Sequence, residues 1–277
     1  MAFRTARSAF KLLHNPGKPI ILPNIYDPSS LSSLLLLNAP NSPPVVQATA
    51  TASWAIAAGL GIKDEELTLD QNLAAFAKLA PLAHKASLPI SIDLQDGYGD
   101  RIVDAVAKAA ELGAAGANIE DSIPSEGFSG GVEKALYPVD VQVQRLKRAL
   151  KVAPEDFVVN ARCDVFRLEP YAKDNDEAVL GEAIRRGKAY LDAGATTVFY
   201  WGGSGRGLRT SEVERLVKEL EGRVAVKLQA GERGLSTAEL AQIGVARISV
   251  GPELYRLAMK AVREEAAKIL GGGRLSA

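Results

Sequence analysis

One strand–helix–strand unit can be read directly from residues 89–121, whose sequence is PISIDLQDGYGDRIVDAVAKAAELGAAGANIED. The apolar run Pro89–Leu94 is followed by a helical pattern over Arg101–Leu112, by Gly113, and by the short apolar run Ala117–Ile119. A glycine directly after a helix is typical of a left-handed C-cap. Two strands joined through a helix of this length pair in parallel, because a tight turn cannot connect parallel neighbours. The stretch therefore predicts a parallel βαβ unit.

The same alternation recurs along the whole chain. The predicted strands are Ile20–Leu22, Val45–Ala48, Pro89–Leu94, Ala117–Ile119, Phe157–Val159, Thr196–Tyr200, Val224–Leu228 and Ala246–Val250. The predicted helices between them are Asp70–Ala86, Arg101–Leu112, Val139–Leu150, Asp176–Ala193, Thr210–Leu220 and Ser236–Gln242. Eight repeats place the chain in the α/β class and favour a closed (β/α)8 TIM barrel, with an open doubly wound sheet as the alternative.

The 277 residues are predicted to form one barrel domain over residues 1–277, because no low-complexity linker divides the chain. Barrels of this kind commonly reach ~250 residues as a single unit. Residues 1–18 are predicted to contain an N-terminal amphipathic helix with Phe10 on its apolar face. Residues 252–277 are predicted to hold a C-terminal helix, Leu254–Leu270, and a glycine-rich tail.

The composition argues against two kinds of partner. The 33 basic residues balance 33 acidic ones, whereas a general nucleic-acid surface needs clustered excess Lys and Arg. The leucine-rich run from Leu31 to Leu37 is far shorter than the ~20 apolar residues of a membrane span. We therefore expect neither a nucleic acid nor a membrane as partner.

The single cysteine, Cys163, cannot form an intramolecular disulfide, so a cytoplasmic location is expected. The basic N-terminal segment also fits a mitochondrial targeting peptide, an alternative that the sequence leaves open. Because side chains alternate along a strand, Cys163 and Arg162 face opposite sides, and Cys163 is expected to pack against the helices.

Polar side chains close several of the predicted strands. They are Asp93, Gln95, Glu120, Asn160, Arg162, Gln229 and Ser249. In a barrel, the carboxyl ends of the strands carry the active site, so Asp93, Glu120 and Arg162 are expected to converge there. Carboxylate oxygens suit a hard cation such as Mg²⁺ or Mn²⁺. Zinc is disfavoured, because the only histidines, His14 and His84, lie in helical segments.

Five segments resemble motifs of the isocitrate lyase and phosphoenolpyruvate mutase superfamily. They are PNIYD (23–27), DLQDGYG (93–99), NIED (118–121), NARCD (160–164) and GVARISVGP (244–252). The resemblance implies a (β/α)8 barrel whose C-terminal helix is swapped between subunits of a homotetramer, a dimer of dimers. It also implies Mg²⁺ or Mn²⁺ as cofactor and a small anionic metabolite, an oxo or hydroxy acid, as the substrate.

The resemblance also assigns residues to roles. The residues implied to hold the metal are Asp93, Glu120, Asp64 and Gln95. The residues implied to contact the substrate are Tyr26, Ser53, Trp54, Ala55, Asp93, Asn160 and Arg162. Asp93 would bind the metal directly, and Glu120 and Asp64 would bind it through water. Arg162 would bind the anionic end of the substrate, for which a planar guanidinium is well suited.

Two features depart from the superfamily pattern. Gln95 stands where many relatives have aspartate, which removes one negative charge and should weaken metal binding. The loop Ser122–Lys134 takes the place of the gating loop but lacks the lyase motif, whose cysteine acts as the acid, and the mutase arrangement. Its three glycines suit a mobile lid. Glu126 and Lys134 in this loop, together with Arg162, are the predicted catalytic residues.

These observations favour a metal-dependent lyase that cleaves a C–C bond of a small 2-hydroxy- or 2-oxo-dicarboxylate through an enolate that the cation stabilises. The first alternative is phosphonopyruvate-type chemistry by a P–C bond mutase or hydrolase. The second alternative is a non-catalytic barrel that has lost its acid or base.

Overall fold

The structure, a computed structural model, describes residues 2–168, 176–231 and 234–276, apart from the side chains of residues 2–6, 204 and 205. The strands are β1 (Ile20–Leu22), β2 (Asn24–Ile25), β3 (Thr49–Thr51), β4 (Ile90–Asp93), β5 (Gly116–Glu120), β6 (Val158–Cys163), β7 (Thr197–Tyr200), β8 (Val224–Lys227) and β9 (Arg247–Ser249). They form one parallel sheet in the order β1-β9-β8-β7-β6-β5-β4-β3-β2.

The sheet closes on itself at Pro23. Strand β1 pairs with β9 and strand β2 pairs with β3, and only Pro23 separates β1 from β2. Proline has no N–H group to donate to a ladder, so one strand position of the barrel is divided into two pieces. The nine pieces therefore fill eight positions, and the predicted (β/α)8 barrel is confirmed.

Helices cover the outside of the barrel. They are α1 (Ala2–Leu12), α2 (Pro28–Leu35), α3 (Ser53–Gly59), α4 (Leu69–Lys85), α5 (Ile102–Glu111), α6 (Val132–Ala135), α7 (Val139–Val152), α8 (Asp176–Asp192), α9 (Gly203–Arg206), α10 (Thr210–Glu219), α11 (Thr237–Ile243) and α12 (Glu253–Leu270). Helices α4, α5, α7, α8, α10 and α11 are the six that the sequence pattern predicts between strands. Gly113 and Gly244, which follow α5 and α11, have φ of 95° and 108°, as expected of left-handed C-caps.

Most predicted bounds agree with the structure to within two residues, but three elements differ more. The strand predicted as Phe157–Val159 continues to Cys163. The second strand is Thr49–Thr51, not Val45–Ala48, and the side chain of Val45 is 75% exposed because this residue precedes the sheet. The N-terminal helix ends at Leu12 and does not extend to residue 18. Pro16 accounts for the early end, because a proline in a helix interior clashes with the preceding turn and removes a hydrogen-bond donor.

The inside of the barrel is apolar at its amino end and polar at its carboxyl end. The side chain of Phe10 from α1 plugs the amino end. It packs in a buried cluster with Ile20, Leu22, Ala48, Ala50, Ala115 and Val158. A ligand therefore has access to the interior from the carboxyl ends of the strands, where the polar side chains lie.

The C-terminal helix α12 lies on the surface. No residue of this helix, all of which belongs to the described part of the chain, is buried. Leu257, Val262 and Leu270 expose 62%, 60% and 87% of their surface. The predicted exchange of this helix between subunits stays a prediction. Among the described residues, no helix combines the length and the apolar character that crossing a membrane requires.

Candidate active site

The carboxyl ends of the strands surround a cavity of about 300 Å³. Half of the residues predicted for the site line this cavity, namely Ser53, Trp54, Asp64, Asp93, Glu120 and Arg162. The other half do not line it, namely Tyr26, Ala55, Gln95, Glu126, Lys134 and Asn160. Acidic and basic side chains from separate strands meet in this cavity, as the alternation of strand residues predicts.

Asp93, the last residue of β4, is held through both carboxylate oxygens. Its Oδ1 accepts a hydrogen bond from Asn118 Nδ2 (3.1 Å), and its Oδ2 accepts one from the backbone N–H of Ser53 (3.1 Å). Asn160 donates to Asn118 Oδ1 (3.0 Å), and Thr197 donates to Asn160 Oδ1 (2.7 Å). This chain of donors from β7 to β4 orients Asp93. Asn160, predicted to contact the substrate, is fully buried within the chain and orients Asn118 instead.

Asp64 begins a short 3-10 helix and is bound by Gln95. The side-chain amide of Gln95 donates to the backbone oxygen of Asp64 (2.7 Å) and to its Oδ1 (2.9 Å). Burial raises the pKa of Asp64 and the charge of Asp93 raises it further, while hydrogen bonds from Gln95 and Ser53 oppose the shift. The side-chain amide of Gln95 therefore positions Asp64, a predicted metal-binding residue, but Gln95 itself does not line the cavity.

Glu120 and Arg162 form an ion pair between neighbouring strands. Arg162 Nη1 donates to Glu120 Oε1, and Arg162 Nε donates to Asp164 Oδ1 (2.8 Å). The hydroxyl of Ser122 donates to Glu120 Oε2 (3.1 Å). Burial raises the pKa of Glu120 to about 8, Arg162 opposes this, and Asp164 and Asp93 add to it. Burial lowers the pKa of Arg162, but Asp164 and Glu120 outweigh burial, so the net shift is upward and Arg162 is a fixed cation.

Asp121 faces away from the cavity, toward the helices. Its Oδ2 accepts hydrogen bonds from Tyr190 (2.7 Å) and Arg186 (3.1 Å), and its Oδ1 accepts one from the backbone N–H of Asp164 (2.9 Å). Nearby, Cys163 is buried in the main hydrophobic cluster, and burial raises the pKa of its thiol well above the usual value. The predicted packing role of Cys163 is confirmed.

Asp96 also lies outside the cavity lining and stabilises the loop after β4. Its carboxylate accepts hydrogen bonds from the backbone N–H groups of Tyr98 (2.9 Å) and Gly99 (3.0 Å) and from the Tyr137 hydroxyl (2.8 Å). It also pairs with Arg145 at 3.5 Å. These partners occupy Asp96, so it does not replace the negative charge that is absent at Gln95.

Tyr26 and Ala55 lie behind the cavity wall. The ring of Tyr26 packs edge-on against Tyr255 of α12, with 4.9 Å between ring centroids. Tyr255 in turn contacts Trp54, which lines the cavity, at 5.9 Å. The backbone N–H of Ala55 donates to the carbonyl of Ala52 (3.1 Å), so this group is engaged within α3.

An antiparallel bridge between Ser122 and Leu136 joins the two ends of the predicted lid. Within it, the ring of Phe128 lies 3.8 Å from the guanidinium carbon of Arg167, which lines the cavity. Glu126 and Lys134 are exposed and do not reach the cavity in this conformation. The lid therefore touches the site through an aromatic ring and a guanidinium, a contact that the sequence did not predict.

Several cationic side chains that the sequence analysis did not select also line the cavity. They are Arg167, Lys227, Arg247 and Arg256. Lys227 and Arg256 both donate to Glu253 Oε1, at 3.0 Å and 3.1 Å. The signal that could have found two of these residues is a charge inside an apolar strand, since Lys227 and Arg247 interrupt two of the predicted strands.

Sequence and structure comparisons agree with this geometry. The profile of the phosphoenolpyruvate phosphomutase family matches residues 10–270. The chain belongs to this family. An uncharacterized protein of Mycobacterium tuberculosis is 31% identical over 271 residues, which cover 96% of this chain and 91% of that protein. The predicted superfamily resemblance is thus confirmed.

Two relatives of this protein have names that denote different reactions. The 2-methylisocitrate lyase of Escherichia coli K12 is 30% identical over 159 residues, which cover 55% of this chain and 50% of that enzyme. A protein from Burkholderia cenocepacia J2315, proposed to be a phosphonomutase, superposes with a TM-score of 0.80 at 31% identity, over 98% of this chain and 100% of that chain. Family membership therefore leaves both lyase and mutase chemistry open.

The donor set of this family member suits a hard divalent cation. Asp93, Glu120 and Asp64 provide carboxylate oxygens to one cavity. Within the described residues, no group of three or more His, Cys, Asp or Glu side chains is arranged to hold a metal ion by itself. Mg²⁺ commonly binds through only one or two carboxylates and retains several waters. Asp93 contributes to the raised pKa of Glu120 and Asp64, a repulsion that a cation would relieve.

Proposed function

We propose that this protein is a metal-dependent lyase that cleaves a C–C bond in a small 2-hydroxy- or 2-oxo-dicarboxylate. The observation that carries the proposal is the charge around the cavity. The cationic lining residues are Arg162, Arg167, Lys227, Arg247 and Arg256, and the acidic ones are Asp64, Asp93 and Glu120. The five cationic side chains outnumber the three acidic ones, which favours an acid with more than one negative charge, and a bound divalent cation would strengthen this preference.

The residues of the cavity have separate tasks in this reaction. Asp93 would hold the cation directly, and Glu120 and Asp64 would hold it through water. When bound, the cation supplies Lewis-acid stabilisation of the negative charge that develops on the substrate oxygen. Arg162 binds a substrate carboxylate, and because Glu120 and Asp164 already hold its guanidinium, it needs little reorganisation during the reaction.

Water must be kept from the carbon atom that gains negative charge when the bond breaks. The apolar plug around Phe10 closes the amino end of the barrel. On the opposite side, Phe128 of the lid contacts Arg167 of the cavity wall, and closure of the lid would exclude water there. In a 2-hydroxy acid the C–C bond breaks as a base takes the hydroxyl proton, and the carbon that leaves as the enolate then receives a proton from an acid. Both transfers are assigned to the lid, where Glu126 and Lys134 are the predicted acid and base, so the reaction requires the lid to move toward the cavity.

Phosphonopyruvate-type chemistry is the second candidate. The excess of cations around the cavity also suits a phosphonate, and the similarity to the proposed phosphonomutase extends over 98% of this chain. A non-catalytic barrel is the third candidate and is supported by Gln95, but Asp93 and Glu120 remain in place.

The test is to incubate the protein and Mg²⁺ with oxaloacetate, 2-methylisocitrate, dimethylmalate and phosphonopyruvate, and to identify products by NMR. We expect cleavage of oxaloacetate or dimethylmalate, the two dicarboxylates, whereas 2-methylisocitrate, with three carboxylates, tests whether a larger acid is accepted. Asp93→Asn should abolish cleavage, and Asp100→Asn, at an exposed position, should not. Turnover of phosphonopyruvate alone would favour the second candidate. Turnover of none of the four acids would refute both enzymatic candidates.

The family resemblance also leads us to propose a homotetramer, a dimer of dimers, in which α12 packs on a neighbouring subunit. The exposed side chains of Leu257, Val262 and Leu270 support this, because such apolar surface is usually covered. Light scattering should give a mass four times that of the chain, whereas a monomer would contradict the proposal.

A further inference from the structure

Arg247 stands at the floor of the cavity. It is the first residue of β9 and only 1% of its surface is exposed. Alternation along the strand places Arg247 and Ser249 on the cavity side, and both line the cavity, while Ile248 packs in the core between barrel and helices. The guanidinium of Arg247 is therefore buried inside the barrel beside the site.

Two of the three nitrogens of this guanidinium have no hydrogen-bond partner in the described part of the chain. Its Nε and Nη1 are buried without a hydrogen-bond partner, and so is the hydroxyl of Ser91, which lines the same cavity. Buried donors without acceptors cost stability, and a buried unpaired charge costs more. Burial lowers the pKa of Arg247 to about 9, with only Asp93 opposing, so the side chain is still a cation at neutral pH.

Among the described residues, no acidic group at the amino end of the barrel acts as a counterion to Arg247. His14 lies on that side, and burial, with a contribution from Arg247, lowers the pKa of His14 to about 3, so its ring is neutral. The cavity is therefore the place from which an anion can reach the guanidinium.

Arg162 and Arg247 occupy aligned positions on opposite parts of the barrel wall. Arg162 is in register with Phe199, Phe199 with Ala225, and Ala225 with Arg247. The two arginines thus lie three strands apart in a ring of eight strand positions. A short dicarboxylate bound between them would have one cation near each end.

We propose that Arg247, assisted by Ser91, forms a second anion subsite that binds the carboxylate at the end of the substrate opposite to the one that Arg162 binds. This rests on the proposed function and assigns a protein group to the second carboxylate of its dicarboxylate substrate. One of these carboxylates completes the hydrogen bonding of Arg247, so the ligand supplies what the protein lacks.

The test uses two stable hydroxy acids that differ by one carboxylate, malate and lactate. Calorimetric titration in the presence of Mn²⁺ gives the affinity of each acid for the wild-type protein and for Arg247→Met. We expect Arg247→Met to lose at least about tenfold in malate affinity, because a charge-assisted pair to a carboxylate is removed. Lactate affinity should stay unchanged. Arg247→Lys should restore part of the preference for malate, and Ser91→Ala should reduce it slightly.

The controls separate binding from folding and from charge balance. Arg185→Met, at an exposed position, should behave as wild type, and circular dichroism should show that each variant is folded. Equal losses of malate and lactate affinity, or no loss, would overturn the proposal. So would tighter Mn²⁺ binding by Arg247→Met with an unchanged malate preference, since Arg247 would then only offset the charge of Asp93.

The two proposals fail in different ways. If the wild-type protein cleaves none of the acids but its malate preference depends on Arg247, the lyase proposal fails and the subsite stands. If the wild-type protein cleaves an acid and Arg247→Met discriminates as the wild type does, the subsite fails and the lyase stands. Loss of phosphonopyruvate affinity with unchanged malate affinity would overturn the dicarboxylate assignment. A wild-type protein that binds neither malate nor lactate also overturns it.

Discussion

Two arginines of this protein are almost completely buried and yet have opposite environments. Arg186 in α8 exposes 2% of its surface and Arg247 in β9 exposes 1%. Arg186 donates to Glu182 (2.8 Å), to Asp121 (3.1 Å) and to the carbonyl of Tyr137 (3.0 Å). Arg247 has no acceptor for Nε or Nη1 within the described residues.

The pKa values of the two side chains reflect this difference. Burial lowers the pKa of both, but Tyr190 and Asp121 outweigh burial at Arg186, so its net shift is upward. At Arg247 burial dominates and the pKa falls to about 9. Arg162 is intermediate, since Glu120 and Asp164 bind it from the protein while it also lines the cavity. Burial alone therefore does not identify a functional arginine. A buried arginine is identified as functional when it lines a cavity and lacks some of its hydrogen-bond partners.

The largest effect is expected for Arg186→Met. It leaves the carboxylate of Asp121 buried without its cation, and breaking a buried ion pair in this way costs about 3–5 kcal/mol in the free energy of unfolding. Urea denaturation measures the change, with Arg185→Met as the matched exposed control. A loss below about 1 kcal/mol would mean that the closed network around Asp121 does not stabilise the fold.

The next effect concerns Arg162, which serves both the protein and the cavity. Arg162→Lys keeps the charge but loses the planar guanidinium, and we expect kcat/KM for the cleaved acid to fall about 100-fold, or about 2.7 kcal/mol. The free energy of unfolding should change by less than about 1 kcal/mol, because a cation stays next to Glu120. Activity within threefold of wild type, or a loss of stability like that of Arg186→Met, would place Arg162 with the structural arginines.

The pH dependence of stability tests the amino end of the barrel. The pKa of His14 is lowered to about 3 in the folded protein by burial and by Arg247, against 6.5 when unfolded. The neutral ring therefore contributes fully to the free energy of unfolding above pH 6.5. This contribution is lost as the pH falls, by about 2 kcal/mol at about pH 5. Urea denaturation of the wild type and of His14→Gln, each above pH 6.5 and at about pH 5, isolates the contribution of His14. Parallel pH profiles would show that the His14 ring is not held neutral.

The same measurement connects His14 to Arg247. In Arg247→Met the acid-side loss of stability should become smaller, because the second largest cause of the lowered pKa of His14 is removed. An unchanged profile would mean that burial alone keeps the ring neutral.

The smallest effect is expected for Arg247→Met without ligand. Removing a buried cation with unsatisfied donors should raise the free energy of unfolding by about 1 kcal/mol. The same substitution at two equally buried arginines thus changes stability in opposite directions. A loss of several kcal/mol, as at Arg186, would show that Arg247 has structural partners and would remove the contrast between the two.

Much of the architecture follows from the sequence because its signals are local. The alternation of apolar runs with helical patterns predicts the barrel, since strand and helix periods extend over only a few residues. The same two-residue period places Asp93, Glu120 and Arg162 on the inner face. Polar residues at the carboxyl ends of parallel strands must meet at one end of the barrel, so half of the predicted site residues line the cavity.

The tertiary structure alone decides which partner each polar side chain finds. The amide of Gln95 turns to Asp64, 31 residues away, and Asn160 turns to Asn118, 42 residues away, so neither lines the cavity as predicted. The local sequence distinguishes Arg186 from Arg247 only in part. Glu182 lies four residues before Arg186 in the same helix, but Asp121 is 65 residues away, and no local pattern shows that Nε and Nη1 of Arg247 lack acceptors. The sequence by itself determined where charge collects, through short-range periodicity. Only the three-dimensional arrangement decided which of those charges are already paired and which remain available to a ligand.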